Sequence, residues 1–212
     1  MFKGKQRERN LQKSAYFNEN YFALPQLFSF AQQIHDIHNM KPENILEIGI
    51  GNGFTSTYMK RAGFNVTTVD INPELQPDIC CPIDELPSYI KESRFDLVVC
   101  CEVLEHMPFE EFEKNIAIIN SIGNRLYMTL PNHKKVFGFA GIIRIPKFPE
   151  VFIKKQFEMK NENPLSVEHF WEVDSSSKSS KSEIISILKR SYNSIKHDKY
   201  GLNPYHIAFQ CS

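Results

Sequence analysis

The stretch "NILEIGIGNGF", residues 44–54, constrains the fold more than any other. An apolar run feeds straight into Gly49, Gly51 and Gly53, and "FTSTYMKRAG" follows with helical character, stopped by Gly63. Glycines at such a junction let the chain turn sharply and bring backbone N–H groups against a ligand with no Cβ in the way. Strand, glycine turn and helix in that order open a doubly wound α/β sheet.

The alternation continues along the chain. "NVTTVDI" reads as a second strand and "PDICC" as a short third; "DELPSYIKES" reads as a helix broken by Pro87. "FDLVVCC" is a continuous apolar strand of the kind buried on both faces of a parallel sheet. A helix over "FEEFEKNIAIIN" leads to the strand "NRLYMTL". Ahead of this core, residues 11–38 carry aromatic and aliphatic residues at i, i+3/i+4 spacing, which predicts one or two helices with Pro25 near a boundary. After Pro131 the pattern lapses, and "DSSSKSSKS" resembles a flexible loop. Ser180 and Glu183 form a capping box for the helix "SEIISILKR". "YNSIKHDKY" and "YHIAFQC", linked by "GLNP", suit an antiparallel pair rather than a crossover. The expected architecture is one domain: an N-terminal helical segment (1–40), a ligand-binding core (41–132), an insertion (133–178), and a C-terminal helix and hairpin (179–212).

The glycine turn also excludes ligands. A dinucleotide fingerprint would place its third glycine at position 54, which is Phe54, and no Gly-Lys-Ser/Thr phosphate loop is present. Asp70 ends the second strand, where a carboxylate can accept hydrogen bonds from both hydroxyls of a ribose. A ligand with a ribose and no phosphate fits both facts. Zero formal net charge, with 25 basic and 25 acidic residues, argues against broad non-specific nucleic-acid binding. No membrane-length apolar run occurs, "MFKGKQRERNLQKS" lacks the apolar stretch of a signal peptide, and the five cysteines form no CxxC pair. The doublets Cys80–Cys81 and Cys100–Cys101 read as small buried side chains, and a reducing cytoplasm is expected.

These segments resemble the class I S-adenosylmethionine-dependent methyltransferases, in the group related to ubiquinone biosynthesis. "LEIGIGNG" is similar to that family's first motif, "VTTVDIN" to the acidic motif after it, "FDLVVCCEVLEHMP" to the fourth-strand motif and "YMTLPN" to the fifth-strand ending. The resemblance implies a seven-stranded, mostly parallel Rossmann-like sheet with a C-terminal antiparallel strand, and S-adenosylmethionine as cofactor with S-adenosylhomocysteine as product. It implies that Glu47, Gly49, Gly51 and Gly53 line the methionine end, that Asp70 holds the ribose, and that Ile71 and Ile83 sandwich the adenine. Where relatives often carry an aspartate just before Ile83, this chain has Pro82, so Asp84 or a backbone group is left to read the adenine amine. Cys101 and Glu102 would stand at the junction of cofactor and acceptor.

"CCEVLEHMP" would place Glu102, Glu105 and His106 on one helical face, at i, i+3 and i+4. His106 is the candidate base, with Glu102 beside it and His169 as a further candidate. The plain alternative is that His106 only stabilises a helix start. Metal ligation by Glu102, Glu105, His106 and His169 is the minority reading, similar to the ligand set of small-RNA 3′-end methyltransferases. The insertion is expected to cap the acceptor. Its stretch 133–155 interleaves lysines with Phe and Ile, which suits an anionic or lipid-linked substrate or a membrane surface; the alternative is a lid with its apolar residues folded inward. "SVEHFWEVD" is similar to a signature among methyltransferases of surface polysaccharides and small molecules. Expected, then, is methyl transfer to oxygen or nitrogen of a small-molecule or glycan-like acceptor. An RNA 3′-end methyltransferase and an inactive cofactor-binding regulatory module are the alternatives.

Overall fold

The computed structural model describes residues 4–91 and 95–212. Its centre is a seven-stranded sheet in the order β3-β2-β1-β4-β5-β9-β8. The strands are β1 (Asn44–Ile48), β2 (Asn65–Asp70), β3 (Ile79–Cys80), β4 (Leu97–Cys101), β5 (Leu126–Pro131), β8 (Ile195–Lys199) and β9 (His206–Cys211). Strands β1 to β5 pair in parallel, and β9 runs antiparallel between β5 and β8. β6 (Lys135–Ile143) and β7 (Val151–Met159) form a separate antiparallel hairpin.

Alternation along the central strands feeds two cores. Ile45, Leu97, Val99 and Tyr127 point to the face covered by α3 (Leu24–Asn39) and α4 (Phe54–Arg61). Leu46, Ile48, Val98, Cys100, Leu126 and Met128 point to the other, covered by α6 (Phe112–Ile122) and α7 (Lys181–Leu188). Helix α6 presents Phe112, Ile116 and Ile119 at i, i+4, i+7, all 1 % exposed or less, so each contributes about 1.5–3 kcal/mol of burial. The apolar strand β4 is buried on both faces, as its sequence predicts. Ser180 caps α7 by accepting from the Glu183 N–H.

Several expectations need correction. Pro87 opens the short helix α5 (Leu86–Tyr89) rather than breaking one, because a first-turn residue needs no N–H partner; the end of the stretch predicted as helix lies outside the described residues. Cys80 is exposed, since β3 is a two-residue edge strand. The serine run is an ordered turn: Ser175, Ser176 and Ser179 hydrogen-bond one another, Asp174 N–H donates to the Ser179 carbonyl, and Ser179 is buried. The aperiodic insertion contains the β6–β7 hairpin, whose sequence hides its period because β6 is apolar on both faces and β7 sets polar residues on both. Ahead of α3, where Pro25 falls in the first turn as the expected boundary, α1 (Lys5–Arg9), a 3-10 turn over Lys13–Phe17 and α2 (Glu19–Phe22) form a strap.

Candidate active site

Beyond the carboxyl ends of the parallel strands lies a cavity of about 670 Å³, in the range of small-molecule sites. The glycine turn forms one wall. Gly49 and Gly53 adopt φ of +78° and +71°, and a Cβ on Gly49 would lie 2.2 Å from Val103 Cγ2. Gly49 and Gly51 line the cavity; Gly53 does not, and instead caps α4 in a left-handed conformation. Asp70 ties this turn to the end of β2: Oδ2 accepts from the Ile50 N–H (2.9 Å) and Oδ1 from the Asn72 N–H (2.8 Å). Burial raises the Asp70 pKa above the usual range, against those backbone donors.

Glu47, Ile71, Ile83 and Cys101 also line the cavity. Glu47 is 6 % exposed, its Oε2 has no hydrogen-bond partner among the described residues, and burial pushes its pKa up to about 7. Asp84 is engaged elsewhere: it accepts from Lys5 Nζ at 2.8 Å, which lowers its pKa, and it does not line the cavity.

The strand-tip cluster departs from the helical expectation. Glu102 sits at φ +56°, with its N–H donating to the Thr129 carbonyl, and precedes a 3-10 turn over Leu104–His106. The chain must reverse off β4 here, so Glu102, Glu105 and His106 do not share a helix face; α6 begins only after Pro108. All three nevertheless line the cavity, together with His169. Glu102 Oε1 and both Glu105 carboxyl oxygens are buried without a hydrogen-bond partner among the described residues. Burial pushes Glu102 up to about 8, and burial together with the Glu102 charge raises Glu105 well above the carboxylate range. Burial lowers the pKa of His106, which favours the neutral imidazole. Donor atoms of Glu105, His106 and His169 lie within 4.8 Å of one another; Glu102 falls outside that group.

Further groups support the cavity from outside the strand-tip motifs. His206, at the start of β9, places Nε2 3.4 Å from Glu102 Oε2 and Nδ1 2.9 Å from Ser29 Oγ; burial pushes it down to about 4. Glu172 is held by His169 Nδ1 (2.9 Å) and His133 Nδ1 (3.0 Å), whose hydrogen bonds outweigh burial and lower its pKa. Trp171 Nε1 donates to the Met107 carbonyl and packs edge-on against Phe109 and Phe112, fixing the strand-tip loop. The N-terminal strap closes the front with Glu8, Tyr16 and Tyr21. Glu8 Oε1 lies 3.5 Å from His106 Nδ1, and Arg7 bridges Glu8 and Glu168. Of the insertion expected to cap the site, only Ser166, Glu168 and His169 reach the cavity; the β6–β7 hairpin does not. A hint lay in "YFNENYF", whose aromatics exceed what a short helix can bury.

The strand order, the reversed β9 and a ligand cavity at the glycine turn define the class I, Rossmann-like methyltransferase fold. Comparison with known proteins agrees. A methyltransferase-domain family profile matches residues 17–129. The chain is 31% identical over 136 residues to a ubiquinone biosynthesis O-methyltransferase of Rickettsia conorii, covering 57% of this chain and 45% of that one. It is 28% identical over 106 residues to the protein of that name from Coxiella burnetii, covering 44% and 45%. The matches thus span under half the length of these relatives. Among solved structures, magnesium protoporphyrin IX methyltransferase from Synechocystis, crystallised with bound S-adenosylmethionine, aligns over 98% of this chain and 90% of that one (TM-score 0.55, 17% identity). A Burkholderia thailandensis 1,6-didemethyltoxoflavin-N1-methyltransferase aligns over 93% and 83% (TM-score 0.55, 16% identity). The chain belongs to the methyltransferase-domain family, within the class I S-adenosylmethionine-dependent group.

Proposed function

We propose that the protein transfers a methyl group from S-adenosylmethionine to an oxygen or nitrogen of a small-molecule or glycan-like acceptor. The observation that carries this reading is a single cavity joining the glycine turn and Asp70 at one end to Glu102, His106 and His169 at the other. The residues present fit the cofactor. Glu47 offers a buried, unpartnered carboxyl oxygen to an ammonium group, Asp70 a carboxylate to a ribose, and Ile71 and Ile83 apolar surface to a base. When bound, the cofactor supplies a methyl carbon already activated by a sulfonium. The protein's part is to hold the acceptor atom about 3–3.5 Å from that carbon, aligned and free of water. The strap residues Tyr16 and Tyr21 exclude solvent from the front. His106, neutral because it is buried, is the base that takes the proton of a hydroxyl acceptor; an amine needs only its neutral form. Glu102 and Cys101 form the floor, and His169 is oriented by Glu172. We place the protein in the cytoplasm, a reading supported by five free cysteines; among the described residues no helix is long and apolar enough to cross a membrane.

The test is formation of S-adenosylhomocysteine with a panel of hydroxyl and amine acceptors, alongside calorimetry of S-adenosylhomocysteine binding. Binding without turnover on any acceptor would support an inactive regulatory module instead. No binding heat, with Asp70→Ala indistinguishable from wild type, would remove the cofactor reading altogether.

One observation favours a second reading. The convergence of Glu105, His106 and His169 donors, with both Glu105 oxygens unpartnered, suits a divalent cation, as metal-assisted RNA 3′-end methylation would need. Full activity after exhaustive chelation would count against it.

A further inference from the structure

The β6–β7 hairpin has two faces of different character. Strand pairing puts Val136, Gly138, Ala140 and Ile142 opposite Glu158, Gln156, Lys154 and Phe152, and this face lies on the body of the protein. Lys154 pairs with Asp198 and donates to the Lys199 carbonyl (2.7 Å); Gln156 Nε2 donates to the Tyr200 and Gly201 carbonyls; Glu158 accepts from Lys199 Nζ at 2.7 Å. Phe152 packs so closely on Gly201 that a Cβ there would lie 2.5 Å from its ring.

The opposite face touches nothing comparable. It carries Phe137, Phe139 and Ile143 against Phe157, Lys155 and Val151, with Lys135 and Met159 at the open end. Phe137 and Phe157 stack at 5.2 Å, and Lys155 Nζ stands 5.4 Å from the Phe157 ring centroid. Phe139 is 58 % exposed, and Phe148 in the connecting turn is 70 % exposed. A contiguous apolar patch of this kind marks an interaction surface. It is not part of the acceptor cavity, because no hairpin residue lines it.

Charge selects the occupant. Residues 134–160 hold seven lysines and arginines against two glutamates in a chain whose formal charge is zero. Both glutamates are already paired, Glu150 with Arg144 and Glu158 with Lys134 and Lys199. The outward face itself carries Lys135 and Lys155 and no acidic residue. A second copy of this chain would bring those like charges together. An apolar, aromatic surface carrying Lys135 and Lys155 fits the headgroup and upper acyl region of an anionic bilayer. We infer that the outer face of the β6–β7 hairpin docks the protein on the surface of a membrane rich in anionic lipid, with Phe137, Phe139 and Phe148 entering the interface and Lys135 and Lys155 among the headgroups.

The experiment is flotation of the full chain with vesicles of phosphatidylcholine alone or of phosphatidylcholine and phosphatidylglycerol in equal parts. Binding is expected to the mixed vesicles and to weaken with added salt. A cation at an anionic surface contributes about fivefold in partitioning, so Lys135→Gln with Lys155→Gln lowers binding about 25-fold. Phe139→Ser with Phe148→Ser lowers it by at least as much. Both pairs leave the melting temperature and S-adenosylhomocysteine binding unchanged, because they lie outside the core and the cavity. Absence of vesicle binding, equal binding to neutral vesicles, or lipid-free dimerisation abolished by Phe139→Ser would each overturn the assignment. None of these results bears on methyl transfer, which is read from separate residues.

Discussion

Replacing Glu102 with glutamine tests whether burial holds the strand-tip carboxyl protonated. Glutamine keeps the shape and cannot ionise. Burial pushes the pKa of Glu102 up to about 8 from the ordinary 4.5, and the Glu172 charge adds to that rise. Between those two values the folded protein keeps a proton that the unfolded chain has released. The associated stability is therefore complete below the unfolded value and is lost as pH rises through the folded one. At about 1.36 kcal/mol per pKa unit, the window is worth on the order of 3–5 kcal/mol.

The assay is urea unfolding of wild type and Glu102→Gln at about pH 5, 7 and 9, with a chelator present so that no stray cation supplies the missing countercharge. Wild type is expected to lose stability relative to the variant steadily from about pH 5 to about pH 8 and to change little beyond. Glu105 is raised by the same burial and by the Glu102 charge, so Glu102→Gln with Glu105→Gln flattens the curve further. Parallel curves for wild type and single variant would refute the reasoning, because they would mean that Glu102 ionises alike in both states.

Three further substitutions probe the cofactor wall and the frame. Asp70→Asn turns an amide NH2 toward one of two backbone donors, Ile50 N–H or Asn72 N–H; an expected cost of about 1–3 kcal/mol shows as a lower melting temperature and weaker S-adenosylhomocysteine binding by calorimetry. Gly49→Ala forces a Cβ to within 2.2 Å of Val103 at φ +78°, costing about 1–2 kcal/mol of backbone strain and about 1–3 kcal/mol of overpacking, measured by urea unfolding. Ser180→Ala removes the acceptor for the Glu183 N–H and lowers stability by about 1 kcal/mol with no effect on ligand binding.

The sheet was legible because its signals are local. "FDLVVCC" needs no partner to declare itself a central strand, and "EIGIGNG" carries its turn within seven residues. The C-terminal pair was legible from the shortness of its link. The candidate site residues read from the sequence gather mainly at strand ends, Asp70 at the end of β2 and Glu102, Glu105 and His106 after β4, while His169 reaches the cavity from the insertion. His206 and Glu8 come from distant segments with no motif between them, and only the folded chain sets them beside Glu102 and His106; Glu172 stands three residues from His169 within "SVEHFWEVD" and pairs with it. Backbone conformation at the strand tip was misread for a related reason. The i, i+3, i+4 spacing is helical on paper, yet leaving a parallel strand demands a sharp reversal, and Glu102 takes it at φ +56°.

Charge within the cavity limits the acceptor more than the sequence did. The basic residues of 133–155 had pointed to an anionic substrate, but the hairpin carrying them stands outside the cavity. The two lysine and arginine residues lining it are both engaged: Lys5 with Asp84, and Arg7 with Glu8 and Glu168. Facing the strand tip instead are Glu102 and Glu105, with unpartnered carboxyl oxygens, and the imidazole of His206, kept neutral by burial. A carboxylate or phosphate acceptor would find no free cation among the described residues and only the neutral, protonated carboxyls of Glu102 and Glu105 as donors, which compensates the desolvation of a full charge poorly. A hydroxyl or amine would donate to those same oxygens. In competition assays of S-adenosylhomocysteine formation, neutral polyols and amines should therefore outrun acceptors carrying an acid next to the reacting atom. Preferred turnover of an acidic acceptor would show that Arg7 or Lys5 leaves its carboxylate partner on binding, and would disprove an acceptor chamber without a free cation.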